Sequence, residues 1–208
     1  MFPIEVFLAY TSACILLILS PGPDNILAIA RGLSQGKLAA CVSGSASGMG
    51  ILFHVVAATA GLTLLIQTSV VAFYIVKIIG ASYLIWLGIK VLRRRDLIAI
   101  ENVEKKPLGS IFMTGFLSAA LNPKPGLFVM AFIPQFVNPA LGSVSVQMIV
   151  YGLWFAMMTA IGFSLMGIFS HRLKRVLQSK PKLISGLNVS AGFTFVSAGL
   201  AVAFMKQR

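Results

Sequence analysis

Two proline clusters interrupt stretches of this chain that are otherwise apolar enough to sit in a membrane. Pro21-Gly22-Pro23-Asp24-Asn25 breaks the first, and Asn122-Pro123-Lys124-Pro125-Gly126 breaks another about a hundred residues later. Proline removes a backbone donor and its ring clashes with the preceding turn, so no helix runs unbent through either cluster. In a bilayer the freed polar groups are tolerated only where they face protein or a water-filled cavity. Helix breaks at corresponding positions of two halves are the sequence mark of a transporter's binding site.

Composition places the chain in a membrane. It is 58% hydrophobic with a mean hydropathy of +0.93, and 11% of its 208 residues are charged. A soluble domain carries roughly 25% charged residues. No Asp, Glu, Lys or Arg occurs from Leu38 to Val76 or from Pro125 to Ser170. Either stretch is long enough for a span of about 20 residues. The net charge of +12 does not point to nucleic acid, because the basic residues concentrate in links between apolar runs, where the positive-inside rule accounts for them. No Lys or Arg precedes Arg31, so the basic start of a signal peptide is missing and the first run is expected to be a retained span. Cys14 and Cys41 are the only cysteines and form no CxxC. Both are expected to be small apolar packing residues, with no metal site and no cofactor.

The apolar runs predict an all-α integral membrane protein of six transmembrane helices. The first is expected from about Pro3 to Ser20, continuing after its break to about Arg31. The second runs from about Ala39 to Ile66, and the third from Ser69 to about Leu92. The fourth runs from about Leu108 to Val137, broken in the middle. The fifth runs from about Ser145 to Ser170, and the sixth from about Leu183 to Met205. The whole chain, 1–208, reads as a single membrane domain. Repeat one covers about 1–92, a charged link covers 93–107, and repeat two covers about 108–208.

Charge alternates from link to link. Arg31 and Lys37 follow the first span, and the turn at Gln67-Thr68 has no basic residue. Five Arg or Lys lie between Arg93 and Lys106, and none between Asn138 and Gly142. Arg172, Lys174, Arg175, Lys180 and Lys182 fill the last link. Basic links are then cytoplasmic and both termini external, against which Lys206 and Arg208 weigh mildly. Three spans per half make the halves enter the membrane from opposite sides, as two inverted repeats with broken first helices. A shift of 102 lays Leu19-Ser20-Pro21-Gly22-Pro23 over Leu121-Asn122-Pro123-Lys124-Pro125, so both prolines coincide. In the second span Gly44 and Gly48 have the spacing that lets helix backbones approach. It is expected to serve packing inside the monomer, and homo-oligomerisation is left open.

Asp24 is the only acid deep in an apolar region, and an intramembrane acid is a functional hypothesis by default. It is also well placed to cap the half-helix after the break. Lys124 mirrors it with the opposite sign. Together they suit a zwitterion, with Asp24 for the α-amine, and Lys124 and the two helix starts for the carboxylate. The alternative is a structural Asp24–Lys124 pair without a ligand. Asn25 and Asn122 offer hydrogen bonds beside the breaks. Pro21, Gly22, Pro23, Pro123, Pro125 and Gly126 are expected to supply the backbone of one shared cavity. His54, the one intramembrane histidine, is either a proton relay with Asp24 or a packed neutral imidazole. Lys77 is expected to snorkel, and Asn188 to join helices.

The run Ser20-Pro21-Gly22-Pro23-Asp24, the link bounded by Gly32 and Gly36, the glycines of the second span, Gly80-Ala81-Ser82-Tyr83-Leu84 with Leu87-Gly88, and Asn122-Pro123-Lys124 resemble the lysine-exporter (LysE/RhtB) family. The resemblance covers essentially the whole chain. It implies a small bacterial inner-membrane exporter, not an enzyme, that expels an amino acid or close derivative in exchange for protons. The chain shows no second acid for a basic side chain, which favours a neutral substrate. Two other classes fit less well. A membrane-embedded thiol or electron-transfer protein needs paired cysteines, and a metal-ion exporter needs more hard oxygen ligands than one carboxylate.

Overall fold

The computed structural model describes residues 3–20, 22–68, 70–93, 104–170 and 172, and scattered positions between 186 and 203. Pro21, residues 94–103, most of the expected sixth span with Asn188, and the side chains of Lys77 and Pro123 lie outside the described residues. Among the described residues seven helices are delimited: α1 (Ile4–Leu19), α2 (Pro23–Gln35), α3 (Lys37–Thr68), α4 (Val70–Arg93), α5 (Leu108–Leu121), α6 (Pro123–Phe132) and α7 (Val144–Ile168). Short 3-10 turns, Ile133–Phe136 and Pro139–Leu141, join α6 to α7.

Both expected breaks are present. A residue before proline is pushed out of the helical region. Accordingly α1 stops at Leu19 and α5 at Leu121, and the next residues are extended, Ser20 with ψ 124° and Asn122 with ψ 120°. The two stops keep the 102-residue offset of the sequence alignment. The restarts do not. α6 resumes at Pro123, directly after Asn122, whereas α2 resumes only at Pro23. The bends are 61° at the first break and 49° at the second. Among the described residues two helices, α3 and α7, are long and apolar enough to cross a bilayer alone, and the bent pairs bring the number to four. α4 has 24 residues, the length of the expected third span.

The centre of the molecule is the crossing of α3 with α7, and small residues let it be close. A Cβ added to Gly44 would strike Ser164, and one on Gly48 would strike Ala156 and Ala160. Val55 fills the space left at Gly152, and Ala40 the space at Gly167. The Gly44–Gly48 face is thus used inside the monomer. α5 lies along α3 in the same direction, with Gly115 on Ala46 and Gly50 on Ala119. α1 runs with α7, as Tyr10 donates to the Tyr151 carbonyl (2.9 Å) and Ile18 fits at Gly162. α1 and α5 therefore run in opposite directions, and so do α3 and α7.

The two ends of the bundle differ in charge. At one end α2 turns into α3 through Gly36 alone, whose φ of 86° favours glycine. There Arg31, 2% exposed, donates to the Glu104 carbonyl, and Gln35 exchanges hydrogen bonds with the Lys106 backbone. Gly32 meets the Gly167 carbonyl so closely that a Cβ has no room. Arg31, Lys37, Lys105 and Lys106 therefore gather at this end. At the other end Gln147 is tied to the backbone of Asn138 and Gly142. Beneath that turn Tyr10, Phe128, Phe132, Phe136, Tyr151 and Phe155 form one aromatic cluster. Phe53, Val56, Ile78 and Val146 stand more than half exposed on the flanks, as lipid-facing side chains do.

Candidate functional site

A helix break in lipid is stable only if the backbone groups it frees find partners. At the first break Asn25 supplies them. Its Oδ1 accepts from the Gly22 N–H (2.9 Å), and its Nδ2 donates to the carbonyls of Ser20 (3.0 Å) and Ile18 (3.2 Å). Asn25 is 4% exposed and bridges both helix ends. The cap residue of α2 is Gly22, and Asp24 sits within the first turn. The capping role considered for Asp24 therefore falls to Asn25 instead. That leaves the carboxylate for partners across the molecule. Ser118 Oγ donates to one of its oxygens (2.5 Å) and Asn122 Nδ2 to the other (2.7 Å). These two donors are one turn apart on the same face at the end of α5.

At the second break the same economy holds with different residues. Asn122 caps α6, its Oδ1 accepting from the Lys124 N–H (3.0 Å). That bond fixes which end of the amide faces Asp24. Lys124 Nζ donates to the Ser20 carbonyl (2.9 Å). Each break thus holds the charge of the other: α5 residues hold Asp24, and the end of α1 holds Lys124. His54 Nε2 donates to the Ala119 carbonyl (3.0 Å), in the last turn of α5, which also accepts from the Asn122 N–H (3.2 Å). Its ring occupies the space a side chain at Gly126 would need. His54 therefore serves the second break from behind and is not hydrogen-bonded to Asp24.

Asp24, Asn25, Asn122 and Lys124 line one cavity, together with Ser20, Gly22 and Pro125. Pro23 begins α2 and is exposed, outside the lining set; Gly126 is buried behind it, against His54. The other walls are Leu17 and Ile18 of α1, Ser47 and Ile51 of α3, and Phe155, Thr159 and Phe163 of α7. About 30 Å³ of the cavity is open to water, room for about two water molecules. One end is charged and polar and the other apolar and aromatic.

The LysE type translocator family matches residues 15–206. The chain belongs to the LysE family. It is 30% identical over 202 residues to the homoserine/homoserine lactone efflux protein of Salmonella typhi, with 96% of each chain covered. It is 29% identical over 205 residues to the leucine efflux protein of Salmonella choleraesuis, covering 95% of this chain and 94% of that one. An uncharacterized membrane protein of Vibrio cholerae is 29% identical over 204 residues, 98% of each. No solved structure matches the chain. This LysE-family protein is accordingly a membrane transporter, built from apolar helices.

Sequence reading missed Ser118, the Ser20 carbonyl and the α7 wall. Ser118 stands four residues before Asn122, so one helix face carries both, but nothing in a lone serine announces a partner 94 positions away. Phe155, Thr159 and Phe163 recur at i, i+4 and i+8 within a charge-free span, a stripe that a helical-wheel count exposes.

Proposed function

We propose that this protein is a secondary active exporter of an amino acid or close derivative, working by alternating access and driven by exchange with protons. One observation carries the reading. Asp24 and Lys124 come from two oppositely running broken helix pairs, yet they line the same cavity, each held by the other pair. Opposite charges at membrane depth are costly and mark substrate or ion pathways. Asp24 takes the α-amine. Lys124, with the start of α6, takes the carboxylate. Among the described residues Asp24 is the only acid lining the cavity, so a proton and a substrate amine compete for it, which couples the two fluxes. The relatives' names, homoserine and leucine efflux, concern neutral side chains, and the absence of a second acid in the lining favours the same here.

The opposite runs of α1 and α5, and of α3 and α7, support the reading of two inverted three-helix repeats rocking about this site. We read the end that carries Arg31, Lys37, Lys105 and Lys106 as the cytoplasmic one by the positive-inside rule, in a bacterial inner membrane, with the start of α1 outside. The Arg31–Gln35 clasp on residues 104–106 lies on the cytoplasmic side of the cavity, and the aromatic cluster, which reaches the cavity through Phe155, on the outer side.

Counterflow in proteoliposomes tests the proposal. Purified protein should exchange labelled neutral amino acids, and an imposed pH gradient should drive their accumulation. Asp24→Asn, Lys124→Met and the double change should each abolish exchange and leave thermal unfolding nearly unchanged. A purely structural ion pair predicts otherwise: each single change costs about 3–5 kcal/mol by stranding a buried charge, and the double change recovers much of it. Restored exchange in the double variant would remove both residues from the substrate site.

A further inference from the structure

Serine and threonine within helices can donate back to the carbonyl one turn earlier. Three do so here: Ser12 to Leu8, Ser47 to Ser43 and Thr114 to Ser110. Thr159 does not. It is 1% exposed, and its hydroxyl has no partner. An unmade hydrogen bond of this kind is expensive in an apolar interior. Ser20 is in the same condition, 1% exposed with an unpartnered hydroxyl. Of the side chains with such orphaned hydroxyls, these two line the cavity.

Their surroundings differ. Ser20 is at the charged end, since its own carbonyl accepts from Lys124 and Asn25. Thr159 is on α7, with Phe155 one turn before it and Phe163 one turn after it on the same wall, about 6 Å to either side along the helix axis. That wall has no charge. Resting on the amino-acid reading above, we infer that Thr159 sets the side-chain selectivity of the site, and that the substrate is a neutral amino acid whose side chain carries a hydrogen-bonding oxygen. The aromatic rings take the aliphatic part of the side chain, and the Thr159 hydroxyl takes its oxygen. A purely aliphatic side chain would bury that hydroxyl unpaired. A site built to hydrogen-bond a substrate hydroxyl discriminates against the analogue lacking it far more strongly than a greasy slot discriminates by size.

Two isosteric substrate pairs isolate this term: threonine against valine, and homoserine against norvaline, each exchanging a hydroxyl for a methyl. In proteoliposome counterflow, the wild-type protein should prefer the hydroxyl member of at least one pair by about tenfold or more. Thr159→Val should erase or reverse the preference, mainly by raising transport of the methyl member. Thr159→Ser, which keeps the hydroxyl, should retain it. Equal transport of both members in both pairs by the wild type would overturn the inference, and needs no variant to fold. An unaltered ratio in a well-folded Thr159→Val would overturn it too. Failure of the wild type to transport any of the four, or leucine, would instead sink the amino-acid reading itself.

Discussion

Asn25 shows how much of this site is bracing. Its amide makes three backbone hydrogen bonds across a break where helical bonding has stopped, and it thereby leaves Asp24 available. His54 does the equivalent at the second break, through the Ala119 carbonyl. A brace and a proton relay make opposite forecasts. Gln keeps a donor that can reach Ala119 but does not titrate. His54→Gln should therefore retain most exchange activity and its pH dependence, with unfolding easier by about 1 kcal/mol, the scale of one weakened hydrogen bond. Measuring both decides it: lost coupling with unchanged unfolding would make His54 a relay. The residue types were legible in the sequence, since a polar side chain in an apolar run needs a partner. The partners were not, because Asp24 and its donors are 94 and 98 positions apart.

At the scale of elements, the proline rule read the breaks correctly up to the point where the helices stop. Ser20 and Asn122 have nearly the same conformation because each precedes a proline. Where the helices restart depends on what fills the gap, and here the two breaks diverge. The first leaves Gly22 beside the Lys124 ammonium. Gly22 is extended (φ −165°), a conformation open to any residue, so its constraint is space: a Cβ there would lie 3.3 Å from Lys124 Nζ. Gly22→Val should push the ammonium off the Ser20 carbonyl and lower exchange by about tenfold or more, the factor that corresponds to roughly 1.4 kcal/mol. Helix content should not change. Gly61→Ala, in α3 with nothing within 4 Å, should leave exchange intact and stabilise slightly, by up to about 1 kcal/mol. Equal losses in both would mean that glycine acts here through flexibility, not room.

For the whole molecule, alternating charge in the links anticipated the one property that matters most for mechanism, a bundle with two unlike ends. Arg31 and Gln35 hold residues 104 and 106 at one end, and an uncharged turn over aromatic rings closes the other. The opposite run of α1 and α5 agrees with the odd number of spans per half that hydropathy predicts. The close α3–α7 crossing was signalled only by small residues, whose pattern says that helices touch and not which ones. The proposed function has the site joining these halves grip both ends of one substrate. The most direct measurement is binding to purified protein of a transported amino acid, its deaminated acid and its decarboxylated amine, each to wild type, Asp24→Asn and Lys124→Met. Wild type should prefer the intact amino acid over both truncated forms. Asp24→Asn should lose only the preference that depends on the amine, and Lys124→Met only the one that depends on the carboxylate. Variants that keep both preferences, or that lose both alike, would contradict a site in which Asp24 and Lys124 hold the two ends of a zwitterion.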